Sequence, residues 1–475
     1  MKESAYNLCA RDSGGTYYLF NTRRGTLRVM SASAYVAYWA AANRASCLDE
    51  AAQTLRDLID EGFLVESDAD ELAEIEAAHR EARQARDQLD LAIAPSMACN
   101  LDCPYCFETN RYAGRMRGAV QDKIVALVHR AFVSGTRRLS VTWYGGEPLV
   151  ALSVIERLSE RFLAVCEEFG REYSAEIVTN GTLMTGEKAK RLAASKVKRA
   201  QITLDGTPDL HNMRRVGRTH RPTFYLILEG IECALAEMQV AIRINVCRTV
   251  AARLEELLQI LAARGLNKTV SVYMAPLQEA PGRNASRRGS RDCAQLPVAD
   301  GGDGGFDLLS SEEAASLELH FDELLWKYGF SIPDRLPRLR GTTCIADKDN
   351  AWLIEANGNL QKCYWTAGFA SEAVGRLTAY GVAAGAPYGK WQNWVARRNA
   401  ECRRCIMLPL CLGRCPLKHL SNESDVCPPL KYNWIRCLAR AVRVTEEELV
   451  PVRVPLAGEQ VRRLDACDAF SSRLT

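Results

Sequence analysis

The sequence lacks any uncharged apolar segment near the ~18 residues that a membrane-spanning helix requires, and its amino end lacks the apolar core of a secretory signal. Net charge is also small: 61 Lys and Arg face 58 Asp and Glu, so overall charge does not indicate a polyanionic partner. We therefore expect a cytoplasmic protein that binds neither a membrane nor a nucleic acid. Its 475 residues, 47% of them hydrophobic, are enough for two or three globular domains.

Cysteine, by contrast, is abundant. In a reducing cytosol, 18 cysteines indicate metal or redox chemistry rather than disulfides. Cys99, Cys103 and Cys106 form a C-x3-C-x2-C motif directly after the apolar run 91–95. Three thiolates can hold three irons of a 4Fe-4S cube and leave the fourth iron without a protein ligand, which suits chemistry at iron. One other interpretation is a zinc knuckle, although the sequence has no fourth Cys or His nearby to complete it. The other is a set of three buried thiols.

A second group of cysteines follows an ordered pattern later in the chain. Its central run reads C-x2-C-x5-C-x3-C, and one such run could be a zinc ribbon. Together with the first motif, the whole pattern favours auxiliary iron-sulfur clusters. Its members are Cys344, Cys363, Cys402, Cys405, Cys411, Cys415 and Cys427.

From residue 91 to about 276, strand-like runs alternate with amphipathic helical stretches. This alternation predicts an α/β fold with a parallel sheet and right-handed crossovers, and about six repeats predict a full or partial β/α barrel. The active site would lie at the carboxyl ends of the strands. Polar or Gly-rich strand exits fall there, at 145–148, 179–182 and 205–208. The later predicted strands are 139–144, 175–179, 200–204, 240–246 and 270–274.

Residues 1–88 form a separate small unit in this interpretation. A hairpin at 17–21 and 26–30, helices at 33–42 and 48–61, a strand at 63–65 and a charged helix at 68–89 resemble a compact winged helix. Such a domain can bind DNA, but segment 48–61 has only Arg56 against five acidic residues, which disfavours phosphate contact. Peptide capture by strand addition and purely structural packing both remain open.

The remaining segments are less informative. Residues 277–306 are rich in Arg, Gly and Ser and predict a flexible surface loop. The pairs Arg397–Arg398 and Arg403–Arg404 are expected to be solvated faces. His211 is expected to make structural hydrogen bonds.

These motifs resemble the radical S-adenosylmethionine (SAM) superfamily with a SPASM extension, as in enzymes that mature ribosomally made peptides. The resemblance implies a partial (β/α)6 TIM-like barrel, an N-terminal winged-helix-like peptide-recognition domain and a C-terminal SPASM domain with two auxiliary clusters. The implied bounds are 1–88 for the recognition domain, 89–276 for the barrel, 277–342 for a bridging region, 343–440 for the SPASM domain and 441–475 for a C-terminal tail.

The resemblance also implies site residues. The first three cysteines would hold the SAM-binding 4Fe-4S cluster, with Tyr105 beside the adenine. The methionine amino group would be bound by Gly145, Gly146, Glu147 and Pro148. The ribose and carboxylate would be contacted by Thr179, Asn180 and Thr203.

Two further 4Fe-4S clusters are implied by the second group of cysteines. One auxiliary cluster would be held by Cys344, Cys363 and Cys415. Either Cys293 would be its fourth ligand, or its fourth position would stay open for substrate. The other would be held by Cys402, Cys405, Cys411 and Cys427, with Cys437 as an alternative ligand.

The implied reaction is reductive cleavage of SAM to a 5′-deoxyadenosyl radical, hydrogen abstraction from a precursor peptide and formation of a thioether or carbon-carbon crosslink. A donor such as flavodoxin or ferredoxin would supply electrons, and no side chain is assigned as the general base. Anaerobic sulfatase maturases, which make formylglycine, are an alternative, although their Asp after the cysteine corresponding to Cys363 is Tyr364 here. A non-catalytic electron carrier or binding scaffold is a further alternative, which the 145–148 motif disfavours.

Overall fold

The computed structural model describes residues 1–42, 52–108, 110–112, 114–218, 221–278, 307–333, 336, 338–423 and 426–452. The start of the predicted helix 48–61, most of the predicted loop 277–306 with Cys293, and the end of the predicted tail lie outside these ranges.

The amino-terminal unit contains a small sheet with helices packed on one face of it. The predicted hairpin is confirmed, since the strands Tyr17–Asn21 and Thr26–Met30 pair antiparallel. One face of its sheet packs on Tyr35, Tyr38 and Phe63, and the other packs on Met407 and Trp434 from the carboxyl-terminal part of the chain. Its elements are β1 (Lys2–Glu3), β2 (Asn7–Arg11), β3 (Tyr17–Asn21), β4 (Thr26–Met30), α1 (Ala32–Ala42), α2 (Ala52–Asp60), β5 (Leu64–Val65) and α3 (Glu71–Gln84).

The prediction of one helix over 68–89 is wrong at its end. Asp70 caps α3 by accepting from the backbone N–H of Ala73, and the helix stops at Gln84. The chain then enters β6 (Gln88–Ile93), in which Leu89, Leu91 and Ile93 alternate on the buried face. This period of two, satisfied by pairing with the next strand, overrides the helical composition of the preceding residues.

Alternating strands and helices follow, and the predicted strands are confirmed. Strands β6 to β11 are adjacent and parallel in chain order, which confirms the α/β fold class with a central parallel sheet. The further elements are α4 (Gly118–Val133), β7 (Arg138–Trp143), α5 (Leu152–Phe169), β8 (Glu172–Thr179), α6 (Gly186–Ala194), β9 (Val197–Leu204), α7 (Pro208–Arg214), α8 (Phe224–Leu235), β10 (Gln239–Val246), α9 (Arg248–Ala251), α10 (Leu254–Ala263) and β11 (Val270–Pro276).

The two faces of this sheet differ in polarity. Side chains such as Trp143 and Ile177 are fully buried in the large core, which also contains helix residues such as Phe162. Side chains at the alternate positions are polar and half-buried, and they hydrogen-bond across strands: Thr142 donates to Glu176 at 3.1 Å. The side of the sheet opposite the large core, which we call the chamber, is therefore lined largely by polar side chains.

The carboxyl-terminal part continues the same sheet. Strand β12 (Ala351–Ile354) pairs in parallel with β6, and an antiparallel series follows from β12. The remaining elements are α11 (Ser311–Lys327), which precedes β12, then β13 (Asn359–Gln361), β14 (Gly375–Thr378), β15 (Gly381–Ala384), α12 (Tyr388–Gln392), α13 (Ala400–Arg403), α14 (Leu408–Cys411), α15 (Pro416–Leu420), α16 (Leu430–Val442) and β16 (Val450–Pro451).

Part of the predicted tail folds back onto the amino-terminal unit. Strand β16 pairs antiparallel with β2, and the backbone N–H of Val452 donates to the carbonyl of Cys9 at 2.9 Å. The amino-terminal sheet therefore has the order β16-β2-β3-β4, and no described strand pairs with the outer edge of β4. Within the described ranges, every helix is too short or too polar to cross a membrane.

Candidate active site

The loop that carries Cys99, Cys103 and Cys106 leaves the carboxyl end of β6 and packs against the Gly-Gly turn after β7. A Cβ on Gly145, whose φ is +116°, would lie 2.5 Å from the carbonyl oxygen of Ser96, and one on Gly146 would lie 2.5 Å from that of Ala98. Only glycine fits this approach. Two neighbouring strand exits are thereby held in direct backbone contact.

Glu147 fixes this turn to the next strand. Its fully buried carboxylate accepts from the Thr179 hydroxyl at 2.7 Å, from the Asn180 backbone N–H at 2.8 Å and from the Leu149 backbone N–H at 3.0 Å. Burial raises the pKa of Glu147, and these hydrogen bonds oppose the shift. Because three protein donors already occupy the carboxylate, its observed role is to position the turn, and Pro148 then begins a buried 3-10 turn.

Asn180 links the end of β8 to the cysteine loop. Its side-chain amide donates to Asn100 at 2.9 Å and lies 3.8 Å from the Cys99 sulfur. Thr203 lies at the end of β9, almost fully buried, opposite Arg243 of β10. The structure thus brings Thr179 and Asn180 against the loop, and it places Thr203 at the same end of the sheet.

Tyr105 takes part in a buried network that the sequence analysis missed. Its hydroxyl donates to the Asp205 carboxylate and accepts from Arg215 at 2.8 Å, while Asn245 donates to Asp205 at 3.0 Å. Burial raises the pKa of Tyr105 and keeps its phenol protonated. The polar exit 205–208 was a signal for Asp205, whereas Arg215 follows a helix with no pattern to mark it.

His211 supports the same strand end, as predicted. Its Nδ1 accepts from the Asp205 backbone N–H at 3.2 Å, and its Nε2 contacts the Thr223 hydroxyl at 3.2 Å. Burial is the main cause that lowers the pKa of His211, and Arg215 adds to it. The imidazole is therefore neutral and structural.

The carboxyl-terminal part covers one side of the chamber. The ring of Tyr364 lies 4.6 Å from that of Tyr144, edge to face, so the residue after Cys363 reaches the end of β7. Burial raises the pKa of Tyr364, which is unsuited to act as a base near neutral pH. Glu108 is also buried here beside Tyr144, and burial raises its pKa.

The later cysteines come together in groups. After burial, the largest causes that raise the pKa of the Cys402 thiol are Cys405 and Cys427. Burial also raises the pKa of the Cys411 thiol, and Cys405, Cys402 and Cys427 raise it further. Burial is the largest cause that raises the pKa of the Cys344 thiol, and Cys415 adds a smaller effect. Burial and then Glu176 raise the pKa of Tyr364 most, and Cys344 contributes after them, so Cys344 lies near the residue that follows Cys363. Cys437 is buried in α16, with its thiol 3.6 Å from the Asn433 side-chain oxygen.

The donor sets fit iron-sulfur clusters in composition. Thiols dominate each group, and no described cysteine forms a disulfide with another. No three described His, Cys, Asp or Glu side chains are arranged to bind one metal ion together, so the fit rests on the composition of the donor sets rather than on their geometry.

Comparison with known proteins identifies this region. The family model of the radical SAM superfamily matches residues 93–274, from the last residue of β6 into β11. The chain contains a radical SAM domain. Such a domain binds SAM and a 4Fe-4S cluster and belongs to an enzyme family, so the radical SAM part of the resemblance is confirmed.

Curated relatives match the radical SAM domain. A GTP 3′,8-cyclase of Synechococcus sp. (strain WH7803) is 34% identical over 119 residues, which are 24% of this chain and 33% of the relative. A cysteine-type anaerobic sulfatase-maturating enzyme of Clostridium perfringens (strain 13 / Type A) is 33% identical over 134 residues, which are 27% of this chain and 35% of the relative. The chain spans about a third of the length of these relatives.

Solved structures extend the likeness beyond the radical SAM domain. Native anSMEcpe with bound AdoMet and Cp18Cys peptide has a TM-score of 0.57 and 18% identity, covering 75% of this chain and 100% of its own. Streptococcus suis SuiB bound to precursor peptide SuiA has a TM-score of 0.50 and 15% identity, covering 90% of this chain and 98% of its own. These likenesses establish the fold.

Proposed function

We propose that the protein is a radical SAM maturase that abstracts hydrogen from a ribosomally made precursor peptide and installs an oxidative crosslink. The observation that carries the proposal is the junction of three strand exits: Glu147 holds the exits of β7 and β8 together, and Asn180 reaches the Cys99 sulfur. This junction builds one site from the cysteine loop and both neighbouring turns.

In this proposal, Cys99, Cys103 and Cys106 hold the cluster, and SAM lies between the cysteine loop and the Gly-Gly turn. When bound, SAM and the cluster supply a 5′-deoxyadenosyl radical that removes a hydrogen atom from the peptide. Glu147 positions the turn, and the buried Asp205 and Arg215 fix Tyr105 beside the cofactor. Tyr364 and Tyr144 exclude water from one side of the chamber.

The two later groups of cysteines would hold auxiliary clusters. Closing a crosslink removes two hydrogens from the peptide, one as the abstracted atom and one as a proton with its electron left over. Cys344, Cys363 and Cys415 lie beside the chamber through Tyr364, where a cluster could accept that electron. The other four thiols, those of Cys402, Cys405, Cys411 and Cys427, belong to partly buried residues.

The amino-terminal sheet supports peptide capture. Strand β16 covers one edge of this sheet, whereas no described strand covers β4. Val29 of β4 is 56% exposed, and Val36 and Trp39 of α1 are 63% and 42% exposed. An open strand edge beside exposed apolar side chains suits an extended peptide that adds as a strand. SuiB, whose fold covers most of this chain, was crystallised with a precursor peptide.

The first experiment tests the radical chemistry. The anaerobically reconstituted protein is reduced with dithionite in the presence of SAM, and 5′-deoxyadenosine is measured by chromatography. Production of 5′-deoxyadenosine is expected, and none from a preparation with full iron content would refute the proposal. An iron count of about eight to twelve per chain is expected for two to three clusters.

The second experiment tests the substrate. Synthetic copies of short peptides encoded beside the gene are incubated with the enzyme, and mass spectrometry should find a loss of two hydrogens per event. Val29→Lys should weaken binding of a fluorescein-labelled copy, whereas Val133→Lys on α4, where Val133 is 66% exposed, should not. Equal binding by both variants would refute the β4 edge as the peptide site.

Formylglycine formation is the second candidate, favoured by the sulfatase-maturating relative. In the resemblance, Tyr364 stands where those maturases have an Asp base, and burial raises the pKa of Tyr364, which argues against this candidate. A sulfatase-derived Cys peptide that gains an aldehyde under the same conditions would establish this alternative.

A further inference from the structure

A surface groove beside Cys402 has a composition that the proposed function does not explain. It has a volume of about 530 Å³ and is lined by Arg80 of α3 and by Arg398 and Arg403, together with Gln392, Asn393 and Val395. The three arginine residues are exposed, and no carboxylate lines the groove. We call these six residues the arginine groove.

Positive charge is concentrated in this part of the sequence. Residues 395–445 contain ten Lys and Arg but only three Asp and Glu, whereas the whole chain has a net charge of only +3. The rest of the chain is therefore net acidic. None of the described ion pairs includes an arginine of the groove. Other exposed arginines do pair with acids, as Arg253 does with Asp209 and Glu256. The arginine groove is thus available to an external anionic group.

The groove also adjoins a proposed set of cluster ligands. Arg403 and Arg404 lie between Cys402 and Cys405, and both thiols are only partly buried. Lys431, on the other side, lies 3.6 Å from the Cys427 sulfur. A protein seated on the arginine groove would therefore lie against the ligands of the second auxiliary cluster.

We propose that the arginine groove docks an acidic electron-transfer protein of the flavodoxin or ferredoxin type. This inference rests on the proposed function, because it assigns the entry point of the electrons that SAM cleavage consumes. In each encounter, the reduced centre of the donor would give up one electron, and Cys402, Cys405, Cys411 and Cys427 would hold the cluster that accepts it. The donor is oxidised by one electron, and no atom is transferred.

The physical properties of the groove suit this partner. Electron-transfer complexes are short-lived and bury small interfaces, and opposite charge raises their rate of association. Arginine side chains from three separate segments spread positive charge over a surface rather than enclosing one small ion. Partial exposure of Cys402 and Cys405 keeps the path between the two redox centres short.

The test compares charge reversals in the reconstituted full-length protein. Binding of purified oxidised flavodoxin and ferredoxin is measured anaerobically by titration calorimetry at low and high salt, and stopped-flow absorbance follows reduction by the reduced donor. Arg398→Glu/Arg403→Glu should weaken binding at low salt by at least about tenfold, and the difference should shrink at high salt. Arg398→Lys/Arg403→Lys should bind within roughly twofold of the natural protein because the charge is kept.

The matched control is Lys190→Glu/Lys198→Glu, which makes the same change in charge at two exposed residues on α6 and at the start of β9. It should alter binding by less than roughly twofold. Equal weakening by control and groove variants, or no weakening by the groove variants, would overturn the assignment. Donor crosslinks that map to the Cys99 loop instead would also overturn it. Dithionite needs no docking, so SAM cleavage by dithionite in all variants separates this outcome from failure of the proposed function.

Discussion

Gly146→Ala tests the backbone contact on which the candidate site is built. The added Cβ would lie 2.5 Å from the carbonyl oxygen of Ala98, immediately before Cys99. The same oxygen accepts from the backbone N–H of Glu147 at 2.9 Å, so the turn and the loop cannot separate without losing this bond. Overpacking costs about 1–3 kcal/mol and a lost hydrogen bond about 1 kcal/mol more. We expect the free energy of unfolding to fall by about 2–4 kcal/mol.

Gly118→Ala is the matched control. Gly118 is the first residue of α4, and no heavy atom lies within 4 Å of the position of an added Cβ. Alanine is favoured over glycine in helices by up to about 1 kcal/mol, so this variant should be as stable as the natural protein or slightly more stable.

The assay is urea unfolding under anaerobic conditions, with preparations matched for iron content and the transition followed by circular dichroism. Calorimetric titration with SAM provides a second measurement. Gly146→Ala should unfold at lower urea and bind SAM more weakly, because the cysteine loop and the Gly-Gly turn no longer fit together. A change in unfolding free energy below about 0.5 kcal/mol, with unchanged SAM affinity, would refute the close packing.

Three further substitutions address buried charges. Arg215→Met leaves the fully buried Asp205 without its cation and should cost about 3–5 kcal/mol in urea unfolding, whereas Arg253→Met, at an exposed ion pair, should cost less than about 1 kcal/mol. Burial lowers the pKa of Lys362 from its usual 10.5 to about 8, so the folded chain loses this proton at a lower pH than the unfolded chain does. Stability relative to Lys362→Met should therefore rise by about 3 kcal/mol between pH 8 and 10.5, and parallel pH profiles would contradict this. Asp347→Asn removes the charge that His79 of α3 contacts at 2.8 Å. Backbone amide hydrogen exchange in α3 should then become faster. Unchanged exchange rates in α3 would show that this contact does not stabilise the helix.

The barrel was predictable because its signals are local. Strands such as Gln239–Val246 are rich in β-branched and apolar residues, and the polar segments that follow them mark one end of the sheet. The cysteine motifs were recognised from spacing for the same reason, and their division into cluster ligands stays a prediction. The end of α3 was predicted wrongly because the charged residues before Gln88 favour a helix, while the alternation of Leu89, Leu91 and Ile93 becomes decisive only once β7 is there to pair with.

Contacts between distant segments were not predictable from pattern. The pairing of β16 with β2 joins residues separated by most of the chain, and two-residue strands leave no periodic signal. The network of Tyr105, Asp205 and Arg215 depends on how a loop and two strand ends converge. The binding of the methionine amino group by Glu147 stays a prediction, and the three protein donors to its carboxylate could be found only from coordinates.

The parallel pairing of β12 with β6 has a consequence for how this molecule can be divided. The radical SAM domain, taken alone, would end in an exposed β6 edge with unpaired backbone groups, which invites aggregation. A fragment that starts at the matched residue 93 would lose β6 almost entirely. Exchange of the carboxyl-terminal part between homologous enzymes therefore has to include the β6 partner strand, because the two parts share one continuous hydrogen-bonded seam.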